Sequence, residues 1–275
     1  MTLIAAWVRH QGKTKELYVA GDSRLSGGQN WDIGTKILDL GRGDVVIAFA
    51  GLTEEAYPLM LQLQSAVKMH PKIKSRAYDL VDLKGYVVRI FNAMWKSIDN
   101  LPVGQEKPDP ATVRFMLCGY SWRFQEFKIW TLYFESEADE FRLRQTSRHR
   151  KKGGGNKYFA FIGDEVAKAT NSVYTKLKER NRVKVPGMEM EPFETLVEFI
   201  RNKDIHSIGG APQVWKVYTH LNTMPLNVYW PSSEHGLLSF GGRTLLPYER
   251  NSYLALDPDS LEVNEPIWPD PHLPC

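Results

Sequence analysis

Four short apolar runs precede the first helical pattern in the chain. Residues 3–8 and 17–20 are apolar without alternation, which is typical of strands that are covered on both faces. A polar stretch separates these two runs, so together they predict a β-hairpin. Residues 36–40 and 45–49 predict two further strands. The first 50 residues are therefore expected to supply strands of the core.

Helical periodicity begins at residue 53. Apolar positions follow the i, i+3, i+4, i+7 rule to residue 67 and predict a helix, whose first turn Pro58 is expected to kink or delay. A second helix is predicted over residues 83–98 in spite of Gly85. Further along the chain, we predict strands at 113–119, 127–134, 158–162, 214–218 and 226–230, helices at 166–177 and 193–200, and a basic, glycine-ended loop at 142–155.

The order of these elements predicts the architecture. Strands so apolar on both faces need a covering layer on each side, and each pair of helices can cover the outer face of one of two stacked sheets. The expected fold class is α+β, with a four-layer αββα sandwich of two mainly antiparallel sheets. No internal repeat or linker is evident. We predict one domain over residues 1–230 and a proline-rich C-terminal extension over residues 231–275.

The composition is that of an ordinary globular protein. Of the 275 residues, 43% are apolar and 24% are charged, which excludes a disordered or coiled-coil chain. Because 35 Lys and Arg residues nearly balance 32 Asp and Glu residues, nucleic acid is not an expected partner. No apolar run approaches the ~20 residues that span a bilayer, so no membrane association is expected. Two cysteines, Cys118 and Cys275, and the lack of a signal-peptide pattern favour a cytoplasmic protein.

Thr2 is the first candidate for chemistry. A strand that begins at residue 3 places Thr2 at its end, and removal of Met1 would leave Thr2 with both a free amine and a hydroxyl. An α-amine, with a pKa of about 8, can act as the general base that withdraws a proton from a hydroxyl nucleophile. Many unrelated chains begin with Met-Thr, so this dipeptide by itself does not define a catalytic residue.

Several motifs around Thr2 carry a family resemblance. Gly21-Asp22-Ser23-Arg24 follows the second strand, Lys36 begins the third, and Ala50-Gly51 ends the fourth. With Thr2 they resemble the opening of proteasome β subunits and of their bacterial relative HslV, which are N-terminal-nucleophile hydrolases with a four-layer fold. The resemblance spans roughly residues 2–220, because later segments are also similar to the family pattern. These segments are Leu117-Cys118-Gly119-Tyr120, Phe161-Ile162-Gly163 and the run from Asp204 to Ala211.

The resemblance implies a set of catalytic roles. Thr2 would be the nucleophile, and the charge of Lys36 would favour an alkoxide and a negative transition state. Asp22 would pair with Lys36: spacing alone favours two solvated surface charges, but their placement at strand ends beside Thr2 favours the pair. The Gly51 N–H would donate to the oxyanion, a role compatible with its other interpretation as a helix-entry glycine. Asp204 and Ser207 would support the Thr2 amine, the alternative for Asp204 being a surface charge at a helix end.

The resemblance also implies how a substrate would bind. Backbone groups of Ser26 and Gly51 would pair with an extended peptide, and Phe49 and Gly34 would lie near the pocket for the side chain before the cleaved bond. The implied activity is threonine-dependent cleavage of peptides or unfolded proteins, without a cofactor. Family members form rings, so a homo-oligomer and an ATP-driven unfoldase partner are implied as well. An inactive scaffold with the same fold and a hydrolase of small amides are the alternative functions.

The chain departs from the family pattern at several positions. Ile208 interrupts the Ser-Gly-Gly segment, and Asp164 stands where a serine is common after the glycine. The segment 135–156 is expanded. Its positive charges at 142–152 predict either a site for an acidic partner or a nucleic-acid backbone or, by preference, a solvated loop. The seven histidines show no metal-ligand spacing with carboxylates, so no metal site is predicted.

Overall fold

The computed structural model describes residues 2–12, 14–148, 155–235 and 237–268. This part of the chain has a mixed α and β fold with antiparallel sheets, which is compatible with the predicted α+β class. Its helices are α1 (Thr53–Met69), α2 (Pro71–Lys74), α3 (Leu80–Trp95), α4 (Val166–Glu179) and α5 (Glu191–Arg201). Its strands are β1 (Leu3–Gln11), β2 (Thr14–Gly21), β3 (Leu25–Ser26), β4 (Asn30–Trp31), β5 (Ile37–Asp39), β6 (Val45–Ala50), β7 (Arg114–Ser121), β8 (Glu126–Glu135), β9 (Glu140–Gln145), β10 (Phe159–Gly163), β11 (Gln213–Tyr218), β12 (Thr223–Tyr229), β13 (Leu238–Phe240), β14 (Arg243–Thr244), β15 (Ala255–Leu256) and β16 (Val263–Asn264).

The first hairpin forms the centre of the larger sheet. Strand β1 pairs antiparallel with β2, from Ile4 opposite Gly21 to Gln11 opposite Thr14, which confirms the predicted hairpin. The order of the sheet is β10-β1-β2-β11-β12-β13-β14, and β15 pairs with β12 and β16. A second sheet has the order β5-β6-β7-β8-β9. Neighbours in this second sheet are all antiparallel.

Three buried apolar clusters hold these elements together. The first joins the five-stranded sheet to helices α1 to α3, and Phe91, Phe115 and Phe141 pack edge to face within it. The second joins β1, β2, β10 and β11 to α4 and α5. The third contains residues of both sheets, such as Ile4 and Met116. Each apolar strand is thus covered on both faces, as the lack of alternation predicts.

Two sequence predictions need correction. Helix α1 begins at Thr53 and continues through Pro58, so this proline does not delay the first turn. The predicted loop at 142–155 begins too early, because Glu140–Gln145 is strand β9. In β9 the buried Phe141 lies between charged neighbours. Because the strand is short and rich in arginine, its sequence resembles that of a charged loop. Residues 149–154 of that loop lie outside the described part of the chain.

The C-terminal extension contributes to the larger sheet. Strand β13 pairs antiparallel with β12, and β15 pairs parallel with it, so the predicted boundary at residue 230 falls between paired strands. Leu238, Ala255 and Leu256 are buried there. In the described residues, no helix combines the length and the apolar character that a membrane span requires.

Candidate active site

Thr2 lies at the start of β1 and is only 2% exposed. Its carbonyl oxygen accepts a hydrogen bond from the backbone N–H of Asp164, at 2.7 Å. Gly163 ends the neighbouring strand β10 with φ +107°, and a Cβ at this position would lie 1.9 Å from the Thr2 carbonyl oxygen. Only glycine allows so close an approach, so Gly163 fixes the position of Thr2.

Asp22 directly follows β2, and its carboxylate is completely buried. The oxygen Oδ1 accepts hydrogen bonds from the Leu3 N–H at 3.0 Å and from Lys36 Nζ at 3.0 Å. The oxygen Oδ2 accepts from the Arg24 N–H at 3.2 Å and from the Gly209 N–H at 3.1 Å. Because every one of these partners is a donor, the site suits an ionised carboxylate.

Lys36 joins Asp22 to Thr2. Its ammonium nitrogen Nζ lies 2.5 Å from the Thr2 hydroxyl oxygen Oγ1, in addition to its 3.0 Å bond to Asp22. Lys36 precedes β5 and reaches across the space between the two sheets, where its side chain is fully buried. The solvated surface pair that the spacing alone suggests is therefore wrong, and the two charges form a buried pair beside a hydroxyl.

Burial and pairing act in opposite directions on these two charges. Burial lowers the pKa of Lys36 from its ordinary value, and the neighbouring Asp22 and Asp164 carboxylates oppose that decrease. Burial raises the pKa of Asp22, and Lys36 together with the Leu3 and Gly209 N–H groups opposes that increase. Each charge therefore depends on the other, and removing one would leave its partner buried without compensation.

Gln213 is a buried residue of the site that the sequence did not indicate. Its Oε1 accepts from the Lys36 N–H at 3.0 Å, while its Nε2 donates to the Asp22 carbonyl at 3.2 Å and to the Gly34 carbonyl at 2.6 Å. One amide side chain thus fastens the Asp22 turn to the segment that carries Lys36. No local pattern marks such a glutamine, because its partners are far away in sequence and belong to the backbone.

The segment 204–211 lies against the Asp22 turn, but not through the residues that the resemblance implies. Gly209 contacts the carboxylate, and its carbonyl accepts from the Ser23 and Arg24 N–H groups. Asp204 is exposed, as its alternative interpretation predicts, and its N–H binds the Asn202 side chain. Ile208, beside Ser207, is buried in the apolar core. No hydrogen bond joins Asp204 or Ser207 to Thr2 within the described residues.

Thr2 opens into a cavity of about 850 Å³. Gly51 lies in its wall with φ +128°, and a Cβ there would come within 2.8 Å of the Val113 Cα, so the close packing requires glycine. Charged side chains of both signs surround the opening. The lining consists of Thr2, Arg24, Leu25, Ser26, Gly27, Ala50, Gly51, Leu52, Thr53, Glu54, Thr112, Arg114, Gly163 and Asp164.

Phe49 and Gly34 are not in the lining of this cavity. The Phe49 side chain is fully buried in the first apolar cluster, between the five-stranded sheet and helices α1 to α3. It packs edge to face against Tyr57, with ring centroids 5.4 Å apart. Gly34 is buried behind Leu25, whose side chain would collide with a Cβ at this position. The implied role of Phe49 beside the substrate side chain does not agree with this placement, because β6 directs its side chain towards α1.

The assembled groups are suited to nucleophilic chemistry. A hydroxyl, a buried ammonium and a carboxylate form a chain of hydrogen bonds that ends at an open cavity. In the described ranges, no three His, Cys, Asp or Glu residues lie close enough together to bind a metal ion. No family model matches the chain, and no curated protein matches it significantly.

Proposed function

We propose that this protein is a threonine-type hydrolase of amide bonds that uses Thr2 as its nucleophile after removal of Met1. The observation that carries the proposal is the 2.5 Å contact between Lys36 Nζ and the Thr2 hydroxyl, made inside a buried pair with Asp22. A buried cation at this distance favours the alkoxide over the neutral hydroxyl. A surface lysine would lose most of this effect to solvent.

The proposed reaction proceeds through an acyl-enzyme. The Thr2 hydroxyl oxygen attacks the carbonyl carbon of the substrate, and its proton passes to the Thr2 amine. The backbone N–H of Gly51 donates to the resulting oxyanion. The tetrahedral intermediate then expels the amine product, which receives the proton, and leaves an ester on Thr2. Water attacks that ester, releases the acid product and restores the hydroxyl.

The proposal includes the fold and the substrate. Three apolar clusters, one between the sheets and one under each set of helices, support a four-layer αββα sandwich of the N-terminal-nucleophile type. The cavity of about 850 Å³ is large enough for several residues of an extended peptide, which supports peptides as the substrate class. Assembly into a ring and cooperation with an ATP-driven unfoldase in the cytoplasm are part of the same proposal.

The experiment that tests the proposal compares the wild-type chain with Thr2→Ala. Intact-mass spectrometry after exposure to a hydroxyl-directed covalent inhibitor is expected to show removal of Met1 and one adduct on the wild-type protein, located at Thr2. The Thr2→Ala protein should give no adduct, and its hydrolysis of fluorogenic peptides should fall by a factor on the order of 10³ or more. Substantial hydrolysis by Thr2→Ala would refute the mechanism. Retained Met1 without an adduct would favour an inactive scaffold, and activity restricted to small acyl amides would favour the small-amide alternative.

A further inference from the structure

A backbone hydrogen bond joins the acidic residue Asp164 directly to Thr2. Asp164 follows Gly163 at the end of β10, and its backbone N–H donates to the Thr2 carbonyl at 2.7 Å. It also lines the cavity into which Thr2 opens. The backbone of Asp164 therefore stays beside Thr2 whatever side chain this position carries.

The carboxylate of Asp164 has an unsatisfied oxygen. Oδ2 is buried, and it accepts no hydrogen bond in the described part of the chain. A buried carboxylate oxygen without a donor is unfavourable, so its presence requires an explanation. Asp22 offers a contrast, because each of its two oxygens accepts two hydrogen bonds.

The remaining charges around Thr2 do not supply this donor. Lys36 donates to Thr2 and Asp22, and Asp164 acts on it only through its charge. Arg24, on the turn after β2, is engaged by Asp32 at 2.7 and 2.8 Å. Arg114 of β7 and Glu54 of α1 are the other charged groups of the cavity lining. Neither has a hydrogen bond to Asp164 among the described contacts.

We propose that Asp164 is the positioning residue for the Thr2 amine, and that its unsatisfied oxygen accepts a hydrogen bond from the ammonium that is formed when Met1 is removed. This inference rests on the proposed function. It assigns to Asp164 the support that the resemblance assigns to Asp204 and Ser207, neither of which has a hydrogen bond to Thr2 among the described residues. The ammonium would supply the donor that the buried carboxylate lacks.

The proposal has a consequence for pH dependence. A carboxylate beside an amine favours its protonated form and raises its pKa, whereas the nearby Lys36 ammonium lowers it. Only the neutral amine can accept the hydroxyl proton, so activity should rise with pH as the ammonium loses its proton. Replacing Asp164 by a neutral residue should move that rise to lower pH.

The test compares Asp164→Asn with Asp259→Asn, a matched change at an exposed carboxylate that pairs with Arg201. Full-length chains are prepared with Thr2 as the first residue, which intact-mass spectrometry checks. The N-terminal amine is acylated competitively with acetic anhydride over a pH series, and mass spectrometry of the N-terminal peptide gives the pH midpoint of labelling. We expect the midpoint to fall by about one pH unit or more in Asp164→Asn. It should stay at the wild-type value in Asp259→Asn.

Two further measurements keep the result interpretable. Asp164→Glu retains the charge and should keep the midpoint near the wild-type value, and Asp164→Ser replaces Asp164→Asn if the latter does not fold. An unchanged midpoint in a folded neutral variant would overturn the inference. Labelling needs no turnover, so a shifted midpoint in a protein that hydrolyses no peptide would refute the proposed function and leave the inference standing. Peptide hydrolysis together with an unshifted labelling midpoint in Asp164→Asn would support the proposed function and overturn the inference.

Discussion

Two lysines of the described ranges are at most 1% exposed, and they differ in what they bind. Lys36 is 0% exposed and donates to one carboxylate and one hydroxyl. Lys157 is 1% exposed and donates to the backbone carbonyls of Arg182, Val185 and Gly187, at 2.9, 2.5 and 2.7 Å. Burial lowers the pKa of both. Burial and a lowered pKa therefore do not distinguish a lysine that contacts a side-chain hydroxyl from one that binds only the backbone.

The partners make the distinction. An ammonium has three N–H donors, and Lys157 donates to three backbone carbonyls, which are unreactive groups. It holds the segment 182–187 against the start of β10. Lys36 directs a donor at a hydroxyl that faces a cavity. Strand β10 links the two sites, because it begins two residues after Lys157 and ends at Gly163, opposite Leu3.

The sharpest test of this difference is Lys36→Met. Without the ammonium, the transition-state charge on Thr2 loses its stabilisation, and we expect peptide hydrolysis to fall by about 10²–10³-fold. Asp22 would be left buried without its counter-ion, so urea unfolding should also show a loss of about 3–5 kcal/mol.

A double variant separates these two effects. Asp22→Asn combined with Lys36→Met removes the unpaired charge and should recover part of the free energy of unfolding, while the turnover stays low. Turnover that recovers together with stability would mean that Lys36 acts only as a structural partner, like Lys157.

The second test is Lys157→Met, measured by the same two assays. Three carbonyls lose their common donor, but the Arg182 carbonyl still accepts from the Val185 N–H. Because each buried, unsatisfied group is worth about 1–3 kcal/mol, we expect the other two carbonyls to give a total destabilisation of about 2 kcal/mol or more. The turnover per folded molecule should remain within about twofold of wild type, since ΔΔG‡ would be below about 0.5 kcal/mol. A large loss of turnover at full folding would contradict the comparison, because it would place Lys157 in communication with Thr2.

The sequence is informative about the Lys36 site because its main parts stand at strand ends. The apolar runs predict β1, β2, β5 and β6, and therefore that Thr2, Asp22, Lys36 and Gly51 lie where strands begin or finish. Strand ends that meet at one edge of stacked sheets bring such residues together. The pairing of Asp22 with Lys36 is implied by the family resemblance and agrees with their positions at strand ends, but neither gives the distances.

The remaining parts could not be predicted, because they depend on long-range packing. Gln213 binds backbone groups that lie more than 170 positions away in the sequence. In the sequence, Lys157 resembles any exposed lysine in a polar stretch, because no local pattern indicates that three backbone carbonyls bind it. The resemblance places Phe49 near the pocket for the substrate side chain. Which face of β6 points towards α1 depends on how the sheets stack, and the sequence does not give that.

The smallest expected effect is the pH dependence of the Lys157→Met destabilisation. The pKa of Lys157 is lowered by burial and, secondarily, by Arg182, so between that lowered value and the ordinary 10.5 the unfolded chain binds more protons than the folded one. Wild-type stability relative to the variant should then increase as the pH rises through this window, because ∂ΔG/∂pH is positive where the unfolded state binds more protons. Comparing the two proteins cancels the tyrosines that titrate in the same range, including Tyr158, whose pKa burial raises to about 12. Urea unfolding of both proteins at pH 7, 8.5 and 10 measures the difference in their free energies of unfolding. A difference that decreases with pH would show that the three carbonyls stabilise the ammonium more than burial destabilises it.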